Sequence, residues 1–220
     1  MPTTADRHPV ILVHGLWDTA HVFKSMRLHL ETQGWDVYSL DLLPSNGSAP
    51  LDVLAHQLEH YIAKTFAPDQ TLDIVGYSMG GLVSRYYLQR LGGLDRVARF
   101  ITLSAPHKGT LAATFSRFKG CQQMHPKHPF IQDLNRDLHQ LEQVQFTSLW
   151  TPYDAIILPS TSSILPVGKT ERLNVPLHKF MVSDRRSLAA ITRALAEPLR
   201  HPQSSPPPPS QTRPPVGHNA

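Results

Sequence analysis

The stretch that decides the fold is "DIVGYSMGGLVSRYY", residues 73–87. An unbroken apolar run ends at Gly76, and Ser78 follows between Tyr77 and Met79. After Gly80 and Gly81 the apolar residues recur at helical rather than strand spacing. Gly76-Tyr77-Ser78-Met79-Gly80 has the form G-x-S-x-G. At a strand-to-helix junction this pattern marks a tight turn that lifts a serine hydroxyl out of the chain, while the glycines let neighbouring backbone approach. Ser78 is therefore the candidate nucleophile. The Met79 N–H, at the head of the helix, is a candidate donor to a developing oxyanion.

Outward from this turn, strand and helix alternate. "VILVHG" (10–15) stops at a glycine as a doubly buried strand does. A helix is expected over 20–33, with Val22, Phe23, Met26, Leu28 and Leu30 near one face and Gly34 as its stop. "WDVYSLDLL" (35–43) reads as a strand, "LDVLAHQLEHYIAKTF" (51–66) as a helix, and "RVARFITLSAP" (96–106) as another strand. Such alternation predicts an α/β fold: a mostly parallel central sheet with helices on both faces. Functional residues then belong at the C-terminal ends of strands.

From His107 to Leu141 the rhythm breaks, giving a candidate lid or substrate wall over that edge. A strand within 143–154, a short strand at "LNVP" (173–176) and a helix capped by Ser183 or Asp184 follow. The expected domain covers residues 1–200, and 201–220 form a Pro-rich tail with almost nothing to bury.

A serine needs a base, and the base needs a carboxylate; in this fold class the chain order is Ser, acid, His. After Ser78, His107, His125, His128 and His139 fall in or near the irregular insert, and His201 and His218 at the domain edge and in the tail. His178 lies between the short strand and the last helix, where a loop at the C-terminal edge of the sheet belongs. Asp154 sits just past a strand end. Asp133 and Asp137 read as solvated helix positions, and Glu171 as part of a polar loop. The second oxyanion donor belongs to the loop after the first strand, His14-Gly15-Leu16-Trp17. There Leu16 N–H is the expected donor, Trp17 a pocket wall, and His14 a loop brace. Ile156, Ile157 and Leu158 add apolar surface beside Asp154.

Composition bounds the alternatives. The chain has 220 residues, 40% apolar and 17% charged, with 21 Lys+Arg against 17 Asp+Glu. The charge is scattered, so no nucleic-acid partner is expected. Cys121 is the single cysteine, so an internal disulfide is excluded. The spacing of His125, His128 and His139 does not suit a metal, and no metal or cofactor is expected. "MPTTADRHPVILVHG" lacks the basic and long apolar regions of a signal peptide, so the reading is cytoplasmic.

Together "VILVHGLW", "DIVGYSMGGLVSRYYL", "ITLSAP", "SLWTPYDAIILP" and "VPLHKFMVSDRRSLAAI" resemble the α/β-hydrolase superfamily, over about residues 9–197. Within it the chain is similar to small bacterial triacylglycerol lipases and esterases. The resemblance implies a fold trimmed at its N-terminus and a triad of Ser78, Asp154 and His178. It also implies an oxyanion hole of Leu16 and Met79, and a carboxylic ester or other hydrophobic acyl substrate contacted by Trp17, Ile156 and Ile157. Transient contact of the Phe115–Phe118 segment with a lipid surface is a further expectation; the oligomeric state stays open. Two alternatives remain: an acyltransferase or thioesterase on the same triad, and a non-catalytic binding protein on the same scaffold.

Overall fold

A computed structural model describes residues 7–199. The Pro-rich tail expected over 201–220 lies outside the described residues. Six strands form one all-parallel sheet in the order β2-β1-β3-β4-β5-β6. They are β1 (Val10–Val13), β2 (Val37–Ser39), β3 (Leu72–Tyr77), β4 (Val97–Leu103), β5 (Gln145–Trp150) and β6 (Lys169–Arg172). Between them run the helices α1 (Lys24–Glu31), α2 (Leu51–Thr65), α3 (Met79–Arg90), α4 (Lys119–Gln123) and α5 (Pro129–Arg136). α6 (Arg185–Ala196) follows β6.

The period of two along a strand explains the layers. Ile11, Val13, Ile74, Phe100 and Phe146 face α2, α3 and the insert helices in one core cluster. Val10, Leu12, Val75, Ile101 and Leu149 face α1 and α6 in the other. Strands buried on both faces are mostly apolar, which is why β1 and much of β3 read as apolar runs; the exception, buried Asp73 in β3, is paired with Arg99 at 3.1 Å.

The structure corrects several boundaries. α1 begins only at Lys24, after a 3-10 turn over Ala20–Phe23. Met26 and Leu30, four apart, are buried, whereas Leu28 lies off that face and is exposed. β2 ends at Ser39 instead of running through Leu43. Beyond it the chain leaves the sheet, and Leu42 N–H donates to His14 Nε2 at 2.8 Å. The sixth strand is Lys169–Arg172, not the "LNVP" segment, and Glu171 stands in it rather than in a loop. A solvent-facing edge strand needs no apolar run, so "KTER" carried no strand signal. Asp184 is the α6 N-cap, its carboxylate accepting from Arg186 N–H at 2.8 Å.

The insert is tied to the body at both ends. Gly120 N–H donates to Gly47 C=O at 2.9 Å, and Gln123 Nε2 to Asp52 at 2.8 Å. At the other end Arg85, fully buried in α3, donates to Leu134 C=O at 2.8 Å, to Asn135 at 3.1 Å and to His107 C=O at 3.3 Å. Arg90 pairs with Asp133 at 2.8 Å and Asp137 at 2.7 Å. Between these anchors Phe115 is 92% exposed.

Candidate active site

Ser78 stands at the end of β3 and the head of α3 with φ 52° and ψ −121°, a conformation that L side chains rarely adopt. The glycines permit it. A Cβ on Gly76 would meet Gly81 Cα at 2.7 Å, and one on Gly80 would meet Val13 and His14 carbonyl oxygens at 2.2 and 2.5 Å. The second contact shows how the first turn of α3 is pressed against the end of β1.

That packing sets the loop after β1 beside the serine. A Cβ on Gly15 would lie 3.1 Å from Ser78 Cβ. His14 is fully buried; its Nδ1 donates to Gly15 C=O at 2.9 Å while its Nε2 accepts from Leu42 N–H. The two bonds fix one tautomer, and His14 braces the loop as expected. Trp17, at φ 63°, donates its N–H to Ser45 C=O at 2.9 Å. Among the described residues, neither Leu16 N–H nor Met79 N–H has a hydrogen-bond partner.

His178 Nδ1 meets Asp154 Oδ2 at 2.6 Å. The second oxygen, Oδ1, accepts from Ile156 N–H at 3.0 Å and Ile157 N–H at 2.9 Å. Burial pushes the Asp154 carboxyl up, but the hydrogen bond and charge of His178 and the two N–H donors outweigh it, so its pKa falls below the ordinary value. His178 opens a 3-10 turn over His178–Val182, where a simple loop was expected. Asp133 and Asp137 are committed to Arg90, and Glu171 to Arg193 at 2.6 Å. Ser78, Asp154 and His178 are all buried.

A cavity of about 310 Å³ opens on Ser78. Trp17, Ile156 and Ile157 line it, together with Leu16, Phe115 and Phe118. Leu158 does not; its backbone is taken up by Thr110 Oγ1 and Leu111 N–H. His125 and His128 accept from the backbone N–H groups of Lys127 and Phe130. Among the described residues no group of three or more His, Cys, Asp or Glu has a metal-site arrangement.

Four neighbours were not foreseen. The Tyr77 ring lies 5.1 Å from that of His178, and its hydroxyl donates to His178 C=O at 3.4 Å. Burial first, then the charges of Asp18 and Asp154, push the Tyr77 phenol up, so it stays a donor. Asp18 is half-buried near His14 and His178. Burial raises its carboxyl above the ordinary value, and the two histidines pull it part of the way back. Cys121 and Met124 close the cavity from the insert.

Known proteins place these observations. The chain matches the palmitoyl protein thioesterase family over residues 9–153, a stretch that holds Ser78 but stops before Asp154 and His178. It is 33% identical over 119 residues to a triacylglycerol lipase of Pseudarthrobacter phenanthrenivorans, covering 50% of this chain and 37% of that protein. It is 35% identical over 122 residues to a lysosomal thioesterase of Homo sapiens, covering 51% and 38%. The match thus spans little more than a third of these relatives. Among solved structures, a mature lipase of Bacillus licheniformis superposes with a TM-score of 0.71 at 16% identity, covering 89% of this chain and 94% of that one. Aspergillus fumigatus lipase B gives 0.74 at 20% identity, covering 89% and 54%. At those identities the superpositions speak for the fold alone. With a six-stranded parallel sheet, a serine in a strained elbow and a family match over residues 9–153, the chain belongs to the palmitoyl protein thioesterase family, on the α/β-hydrolase fold.

Proposed function

We propose that the chain hydrolyses carboxylic esters or thioesters with a hydrophobic acyl group, through a covalent acyl-enzyme. Ser78 Oγ attacks the acyl carbonyl, and His178 takes its proton and returns it to the leaving alcohol or thiol. Asp154 holds the Nδ1–H tautomer and stabilises the imidazolium. Leu16 and Met79 N–H groups bind the oxyanion. A water activated by the same histidine then releases the acid and restores Ser78. No cofactor enters this reading.

The observation that carries the proposal is the 2.6 Å contact of His178 Nδ1 with buried Asp154, in the same structure as a serine at positive φ. The free N–H groups of Leu16 and Met79 support the oxyanion role. Exposed Trp17, Phe115, Phe118 and Ile156 around the cavity mouth support transient contact with a lipid surface. The family match favours thioesters as a second substrate class.

The test is turnover of p-nitrophenyl esters and acyl thioesters by wild type and Ser78→Ala, with fluorophosphonate labelling alongside. Loss of both signals in the variant is expected. A wild-type protein inert to every substrate and to the probe would leave the binding-protein alternative.

A further inference from the structure

The cavity beside Ser78 has two kinds of wall. Trp17, Phe115, Phe118 and Ile156 are exposed and form the mouth, whereas Ala113, Cys121, Met124 and Ile157 are buried and close it. The closed end is backed by solid structure. A Cβ on Gly47 would lie 2.4 Å from Cys121 Sγ and 3.0 Å from Leu16 Cδ1. A Cβ on Gly120 would lie 2.2 Å from Ala49 C=O. Helix α4, which carries Cys121, is thus packed backbone to backbone against the 47–49 turn. Gln123 ties the same helix to Asp52 and to Leu51 N–H. The insert therefore gives the cavity a fixed end, not a yielding one.

We propose that this end limits the acyl chain to medium length, with Cys121 and Met124 as the residues that set the limit. The inference rests on the acyl-ester reading of the same site. With a methylene taken as roughly water-sized, about 30 Å³, the 310 Å³, which includes the open mouth, takes at most about ten carbons. A sixteen-carbon chain would leave its last methylenes outside, against the exposed mouth. Each methylene buried strengthens binding about fourfold, and each one beyond the closed end adds little.

The experiment measures binding apart from turnover. Saturated fatty acids of six to sixteen carbons displace an environment-sensitive fluorescent fatty acid from wild type, Met124→Ala and Ala112→Phe. The same chain lengths are then assayed as p-nitrophenyl esters. In wild type, affinity should climb about fourfold per carbon and level off near ten carbons. Met124→Ala removes volume from the closed end and should move the break about two carbons longer. Ala112→Phe fills the cavity from a half-buried position and should move it shorter, without disturbing the core.

Affinity and turnover still climbing at sixteen carbons, with no response to either variant, overturns the inference and leaves the hydrolase reading intact. A break near ten carbons in a protein without turnover upholds the inference and overturns the hydrolase reading. No displacement at any length overturns the inference by itself.

Discussion

Replacing Asp154 by Asn separates the two jobs of this carboxylate. Oδ1 holds the turn through the Ile156 and Ile157 N–H groups at 3.0 and 2.9 Å, and Oδ2 meets His178 Nδ1 at 2.6 Å. Asn keeps an oxygen for the turn and puts an NH₂ opposite the imidazole. An NH₂ donates, so His178 must offer its Nδ1 lone pair and carry its proton on Nε2. That is the nitrogen required, in the proposed mechanism, to receive the Ser78 proton. The imidazolium also loses its counter-charge. In a triad of this kind the wrong tautomer costs about 10⁴-fold in kcat, or about 5 kcal/mol of transition-state stabilisation. Stability should change much less. Asn costs about 1 kcal/mol, while Ala, which drops every bond of a buried charged acceptor, costs about 3 kcal/mol or more. Because the folded carboxyl titrates below its ordinary 3.8, its share of stability is present above that pH and is lost as pH falls below it. Asp154→Asn abolishes that loss. The assay is stopped-flow ester hydrolysis beside urea unfolding. An Asn variant that folds normally and keeps more than about a tenth of wild-type kcat refutes the tautomer argument.

Four other outcomes are expected. On the proposed mechanism Ser78→Ala loses nearly all turnover, since the members of such a triad act as a unit; Ser78→Gly is equally inactive but about 1 kcal/mol more stable than the Ala variant in urea, because glycine accepts φ 52° without strain. His107 is fully buried, and burial, with Arg85 and Lys108 adding positive charge, drives its pKa well below 6.5. The unfolded chain then takes up a proton that the folded one refuses, so stability falls by about 1.4 kcal/mol per pH unit below 6.5; urea midpoints at pH 7.5 and 5.5 measure it, and His107→Gln should flatten the difference. Arg85→Lys loses the fork that holds three insert residues and should cost about 3 kcal/mol, read as a lowered Tm. Gly80→Ala should yield no folded protein by circular dichroism, because its Cβ meets backbone oxygen at 2.2 Å.

The serine elbow was legible because its geometry is local. A strained strand-to-helix turn needs particular glycines at particular offsets, and that requirement is written within five consecutive residues, 76–80. The doubly buried strands β1, β3 and β4 were legible for a similar reason: two covered faces leave few polar positions, and the buried Asp73 and Arg99 that break the pattern satisfy each other. Chain order and strand ends then singled out Asp154 and His178. Edge strand β6 was misplaced because one solvent-facing side removes the apolar signal. The exposure of Leu28 was missed because it stands two residues from both Met26 and Leu30, on the opposite side of α1 from the face they bury.

The sequence by itself determined the fold class, the serine and the ordered candidates for acid and base. All of these follow from local backbone demands and from the burial that strands require. The tertiary structure decided everything that joins distant segments. It set the first turn of α3 against β1, so that the Leu16 loop lies beside Ser78, and it made His14 a brace through Leu42. It drew Asp154 to His178 across 24 residues, and Arg85 to an insert about 50 residues away. It also closed the cavity with Cys121 and Met124, residues with no pattern to announce them. The physical reason is that a cavity and a hydrogen-bond network are properties of packed surfaces. Packing at native density depends on which side chains meet, and a linear pattern records only which face of its own element each one occupies.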